Sequence, residues 1–187
     1  MAFTSFDEFV QREQQSAKVL DEQPVDWQAQ KSEWLRYLDG LFAKIVEFLD
    51  LYVAQGQVSI EYKPIELNEE YIGPYPAREM IITIGSKVIK LEPIGTNLVG
   101  SKGRVDVFGP LARVQLLLMN RNVKSPADIF RFSVTIDGRP LTPPTAKSDP
   151  SSKIDWTWKI ATRPPNLTFV DIDKDTFLNL LLEVSNG

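Results

Sequence analysis

From Asp26 to Gly56 the apolar positions step by three and four. Trp34, Leu38, Leu41, Ile45, Phe48 and Tyr52 form one stripe, and Leu35, Phe42, Val46, Leu49 and Val53 widen it. A 3.6-residue period puts these side chains on one face, broader than a two-stranded coiled-coil seam needs. Asp26 can cap the start and Gly56 can end it, so the spacing predicts a helix running to Ala54. Gly40 in its middle lowers helix propensity by about 1 kcal/mol relative to alanine, unless something packs closely there. Upstream, Phe6, Phe9, Val10, Ala17 and Leu20 recur at helical intervals behind Ser5 and Glu8, which have the spacing of a capping box. Asp21-Glu22-Gln23-Pro24 separates the two segments, giving an N-terminal helical pair over residues 1–56.

Beyond Gln57 the period falls to two. Val58, Ile60 and Tyr62 alternate with Ser59, Glu61 and Lys63, and Met80, Ile82 and Ile84 alternate with Glu79 and Thr83. Gly85-Ser86 reads as a tight hairpin turn that needs positive φ at the glycine. Further strands are predicted over Val88–Glu92, Arg104–Phe108, Ala112–Met119, Phe130–Ile136, Ile154–Ala161 and Leu167–Ile172. Asp137-Gly138 marks another turn, followed by a proline- and serine-rich loop from Arg139 to Ser152. Phe177, Leu180, Leu181 and Val184 place a short helix at the C-terminus. The predicted fold is α+β: the helical pair, a mainly antiparallel sheet of seven to eight strands, and the C-terminal helix. Residues 57–187 form the β-rich part, and the helices of residues 1–56 either stand apart or pack on it within one domain.

Composition narrows the chemistry more than the fold. The 187 residues include no histidine and no cysteine. That removes cysteine nucleophiles, Ser-His-Asp triads, histidine proton shuttles and the usual zinc sites. Neither a secretion signal nor an apolar run long enough for a membrane span is visible, so the sequence reads as a soluble, cytoplasmic chain with no membrane partner. Net charge is −4, but residues 1–60 carry ten acids and five bases while residues 87–131 carry eight bases and three acids. The two regions screen each other if they pack together, or the basic part offers a face to an anionic partner.

Several constellations invite a functional reading. Gly95 to Gly109 is glycine-rich, and Gly100, Ser101, Lys102, Gly103 and Arg104, with Arg113, could cradle a phosphate-containing ligand or nucleic acid. It is not a Walker A loop, because a serine separates Gly100 from Lys102 and a strand pattern follows; turns and bulges between strands explain the glycines equally. Glu61-Tyr62-Lys63 has the E-x-K spacing of metal-dependent nucleases but needs an aspartate on a neighbouring strand, whereas Asp50 falls on a helix. Asp171, Asp173 and Asp175 imitate the start of a calcium loop, but Thr176 stands where glycine is required and Leu182 where glutamate is. Trp156 and Trp158 share one strand face, as a core row or a stacking platform. Arg104, Asp106, Arg113 and Gln115 would meet on the polar face of a meander, through cross-strand pairing.

The expectation from sequence is a non-enzymatic interaction or accessory module without cofactor or metal. It would bind a protein partner or itself through Trp34, Leu38, Leu41, Ile45 and Phe48 of the long helix. A binder of a phosphate-containing ligand or nucleic acid through residues 95–109 is the alternative, and a Mg²⁺-dependent carboxylate enzyme the next.

Overall fold

The computed structural model describes residues 26–96, 100–133, 135–136, 139–140, 154–163 and 165–186. The expected first helix and the Asp137-Gly138 turn lie outside them. The long helix, α1 (Trp27–Ala54), starts where Asp26 accepts the Ala29 N–H at 2.9 Å and stops at Gly56, whose φ is 69°. The strands follow as β1 (Val58–Glu69), β2 (Gly73–Ile84), β3 (Lys87–Gly95), β4 (Gly103–Phe108) and β5 (Arg113–Asn120). A helix, α2 (Pro126–Ser133), and a two-stranded ribbon, β6 (Thr135–Ile136) with β7 (Arg139–Pro140), intervene before β8 (Trp156–Ala161) and β9 (Phe169–Asp171). The chain then forms α3 (Lys174–Asn186). The architecture is α+β, with a seven-stranded sheet ordered β1-β2-β3-β4-β5-β8-β9 and every neighbouring pair antiparallel.

The strand expected over Phe130–Ile136 is instead mostly helix. Asp128 accepts hydrogen bonds from the Ser125 N–H and hydroxyl, both at 2.9 Å, and Pro126 occupies the first helical position. Serine, proline and an acid at these three positions start a helix, and the start outweighs the β-branched alternation that follows. Among the described residues of that stretch, Thr135 and Ile136 are extended. Asp171, Asp173 and Asp175 mark a strand end and a helix start. Asp171 closes β9, and Asp173 caps α3 by accepting the Thr176 N–H while the Thr176 hydroxyl accepts the Asp173 N–H. That backbone bond holds the Asp173 carboxyl below its ordinary range.

One sheet face carries the main core. Leu91–Val107–Val114 and Val105–Leu116–Ile160 are cross-strand rows on it, covered by α1 and α3. Trp34, Leu38, Leu41, Ile45 and Phe48 all belong to this core and are at most 9% exposed. The helical face expected to meet a partner is therefore buried against the chain's own sheet, and α1 shares one core with the β-rich part. A sheet is wider than a helix, which explains why the apolar stripe is broad. A smaller cluster of Met119, Val123, Ala161 and Phe169, joined by Ile129 of α2, sits apart from it.

The β1–β2 ribbon changes its buried face along its length. Val58, Met80 and Ile82 are buried near its base, but Leu67, Glu69 and Tyr75 are buried near its tip, on the opposite alternation. Pairing with β3 ends at Met80, and the unbroken β1–β2 register continues beyond it as two strands. Two-stranded ribbons twist more strongly than sheets, so the tip turns its other face inward.

Gly40 behaves differently. It is exposed on α1, and a Cβ there would meet nothing within 4 Å. Gly40→Ala is expected to raise stability by about 1 kcal/mol, read as a higher urea midpoint with an unchanged m-value. A loss of stability would mean that the glycine serves a contact the helix does not show.

Candidate functional site

The glycine-rich stretch does not gather its cations. Lys102 precedes β4 and turns toward α1, where its Nζ lies 2.6 Å from Glu33 and 4.9 Å from the Trp156 ring centroid. Arg104 and Arg113 lie on the other face of the sheet and both bind Asp106, Arg104 through Nε at 2.7 Å and a second nitrogen at 2.8 Å. Asp106 is fully buried, opposite Glu92 on β3 and Gln115 on β5. Ion pairing along β4, Arg104 with Asp106, and across to β5, Arg113 with Asp106, therefore accounts for these three residues. Gly103 is buried beneath the Trp34 ring, whereas Gly100 is exposed with φ 77°. Ser101 donates to the Gly103 and Leu118 carbonyls.

Ser101 and Lys102 do reach a polar cavity of about 610 Å³ at the N-terminal end of α1, also lined by Gln30, Glu33, Tyr37 and Thr96. Behind it lies a buried network that the sequence did not announce. Glu69, at the ribbon tip, accepts the Thr96 N–H at 2.8 Å, the Thr96 hydroxyl at 2.6 Å and the Tyr75 hydroxyl. Gln30 donates to the Thr96 hydroxyl oxygen at 3.0 Å, tying α1 to the network. Burial first, and then the Glu69 carboxylate, push the Tyr75 phenol well above its ordinary pKa. Every oxygen of Glu69 is engaged, so the carboxylate locks the ribbon tip to β3 rather than serving as a free base.

The remaining candidates separate in the same way. Glu61 lies opposite Ile81 and Lys63 opposite Glu79, so β2 sets no aspartate opposite the E-x-K pattern. Trp158 is core, 5.9 Å from Trp34, and its indole N–H donates to the Tyr37 carbonyl. Trp156 is half-buried under Lys102. Lys159, on the arginine side, is buried and pairs with Asp171 at 2.7 Å. Among the described residues, no group of three or more carboxylates is placed to hold a metal ion, and no helix is long and apolar enough to cross a membrane.

A second cavity has the opposite character. It is an apolar groove of about 350 Å³ between the last turns of α1, α3 and the β2–β3 turn. Leu49 and Tyr52 come from α1, Val58 and Ile84 from the sheet, and Leu178, Leu181 and Leu182 from α3. Leu182 is 59% exposed, and Leu51, beside Tyr52 in the chain, is 56% exposed. Among the described residues, Lys87 is the one charged residue of the lining, and the buried Ser185 hydroxyl has no hydrogen-bond partner. The groove depends on the ends of three elements, and no local pattern in the sequence signals it.

Set against known protein families, characterised proteins and solved structures, the chain finds no match in any of the three.

Proposed function

We propose that this chain is a non-enzymatic interaction module that docks a segment of a partner protein in the groove between α1 and α3. One observation carries the reading: the groove is apolar, open, and lined by Leu182, an exposed leucine on a short helix whose Leu180 and Leu181 are buried and whose Leu178 is half-buried. An open apolar patch of this kind on a folded chain marks a contact surface more often than chance. The face of α1 first expected to meet a partner is occupied by the sheet, so the free apolar surface lies at the helix's C-terminal end.

The phosphate reading has weaker support. Lys102 would have to leave Glu33, and Arg104 and Arg113 would have to leave Asp106 on the other face. A carboxylate enzyme would need Glu69 or Asp106 released from its present bonds.

Leu182→Glu is expected to abolish partner docking while leaving the thermal midpoint within a few degrees of wild type, because that side chain is mostly in water. Photo-crosslinking from position 182, with position 61 on the ribbon as control, gives the direct readout. Equal labelling at both positions would remove the groove as the docking surface.

A further inference from the structure

The docking reading leaves the partner's chemistry open, and the groove's two polar groups address it. Lys87 makes no ion pair or side-chain hydrogen bond among the described residues. Ser185 Oγ is buried on an apolar wall without a partner. Both groups can donate a hydrogen bond, and neither side chain meets an acceptor among the described residues. Helix C-termini carry partial negative charge, and four of the carbonyls at these two ends already accept a backbone N–H. Those of Leu51, Tyr52 and Val53 accept the N–H groups of Gln55, Gln57 and Gly56, and that of Val184 accepts the Leu111 N–H. Among the described residues lining the groove, Lys87 carries the one full charge.

Resting on that docking reading, we infer that the occupant is an apolar segment of a partner protein bearing a carboxylate, with leucine-type side chains in the groove and the acid at Lys87. A protein segment suits the site better than a free amphiphile. The groove's lining reaches outward to Leu182, which is 59% exposed, and an isolated acyl chain in the groove would leave that side chain in water. Desolvating Lys87 under an apolar segment without an acid would cost affinity, because a charge removed from water needs a partner. The groove would thus select as well as bind.

Three fluorescein-labelled peptides with one leucine-based amphipathic pattern, flanked by Glu, Gln or Lys, test this by fluorescence anisotropy on the full chain. The Glu peptide is expected to bind about three- to fivefold tighter than the Gln peptide, as a partly exposed ion pair allows, and the Lys peptide weakest. Lys87→Glu should invert the order, Lys87→Met should level it, and Ser185→Ala should weaken the Glu peptide without changing the order. Equal affinity for all three peptides, still lost in Leu182→Glu, would overturn the carboxylate inference and leave the docking reading standing. Binding by none of them would overturn both. Binding of dodecanoate, with no peptide bound, would assign the groove to a small amphiphile and overturn the protein partner.

Discussion

Gly103→Ala is expected to lose about 1–3 kcal/mol of stability in urea denaturation, and Gly103→Val more, although this glycine needs no unusual backbone angle. The reason is steric. A Cβ at position 103 would lie 2.1 Å from Cζ3 and 2.4 Å from Cε3 of Trp34. Trp34 is 1% exposed and packs against Trp158 on the same sheet face, so its ring has no free direction in which to retreat. Truncating Trp34 should itself be severe, at about 3–5 kcal/mol for Trp34→Ala. The informative measurement is the double-mutant cycle with Trp34→Leu. The smaller side chain makes room for the new methyl group, so the pair should cost less than the sum of the single changes by at least about 1 kcal/mol. Additive losses would show that Gly103 is required for some reason other than the tryptophan above it.

That pair also marks what can and cannot be read along the chain. The helix from Trp27 was legible because its signal is local: a capping aspartate, a stripe of period 3.6 and a terminating glycine. The meander was legible by the same logic, with Gly85 taking φ 57° at the turn where the pattern demanded a positive value. What covers the stripe is set by topology, and an apolar face looks alike whether a sheet or a second protein lies on it. The helix over Pro126–Ser133 was hidden differently. Its start signal, Ser125-Pro126 with Asp128, is followed by an alternation of apolar and polar residues that reads as a strand.

Candidate sites were less legible than elements, for a physical reason. The glycine-rich stretch was visible, and its glycines do mark turns and close approaches, yet its cations divide between two sheet faces. Lys102 sits before the strand begins and escapes the alternation, so it joins Glu33 while Arg104 joins Asp106. Glu69 was invisible because the ribbon reverses its buried face beyond Met80 and turns a residue of the polar alternation inward. Both cases are twist and strand-end effects, which a fixed period of two cannot represent.

Asp106→Asn should be among the most damaging single substitutions that preserve shape, at about 3–5 kcal/mol, the usual cost of breaking a buried ion pair from one side. The carboxylate is fully buried, while its partners Arg104 and Arg113 have side chains 20% and 48% exposed. Removing the charge leaves two guanidinium groups converging on a neutral amide, and Arg104 is too covered to rehydrate freely. The partners should not be equivalent. Arg113→Ala should cost under about 1 kcal/mol, because that side chain is half in water and Arg104 still engages both carboxylate oxygens. Arg104→Ala should fall between the two. Salt separates them further: at 1 M the Arg113 effect should fade with screening, whereas the loss from Asp106→Asn should persist. Equal losses for Asp106→Asn and Arg113→Ala would mean that Arg113, not Arg104, neutralises the buried carboxylate. The same variant bears on the phosphate reading, since both arginines face an acid in the native chain. If that acid alone keeps them from an anion, Asp106→Asn should bind inorganic phosphate where wild type does not, and the arginines would belong to a masked site. Silence from both proteins would make the cluster a structural clasp between β4 and β5.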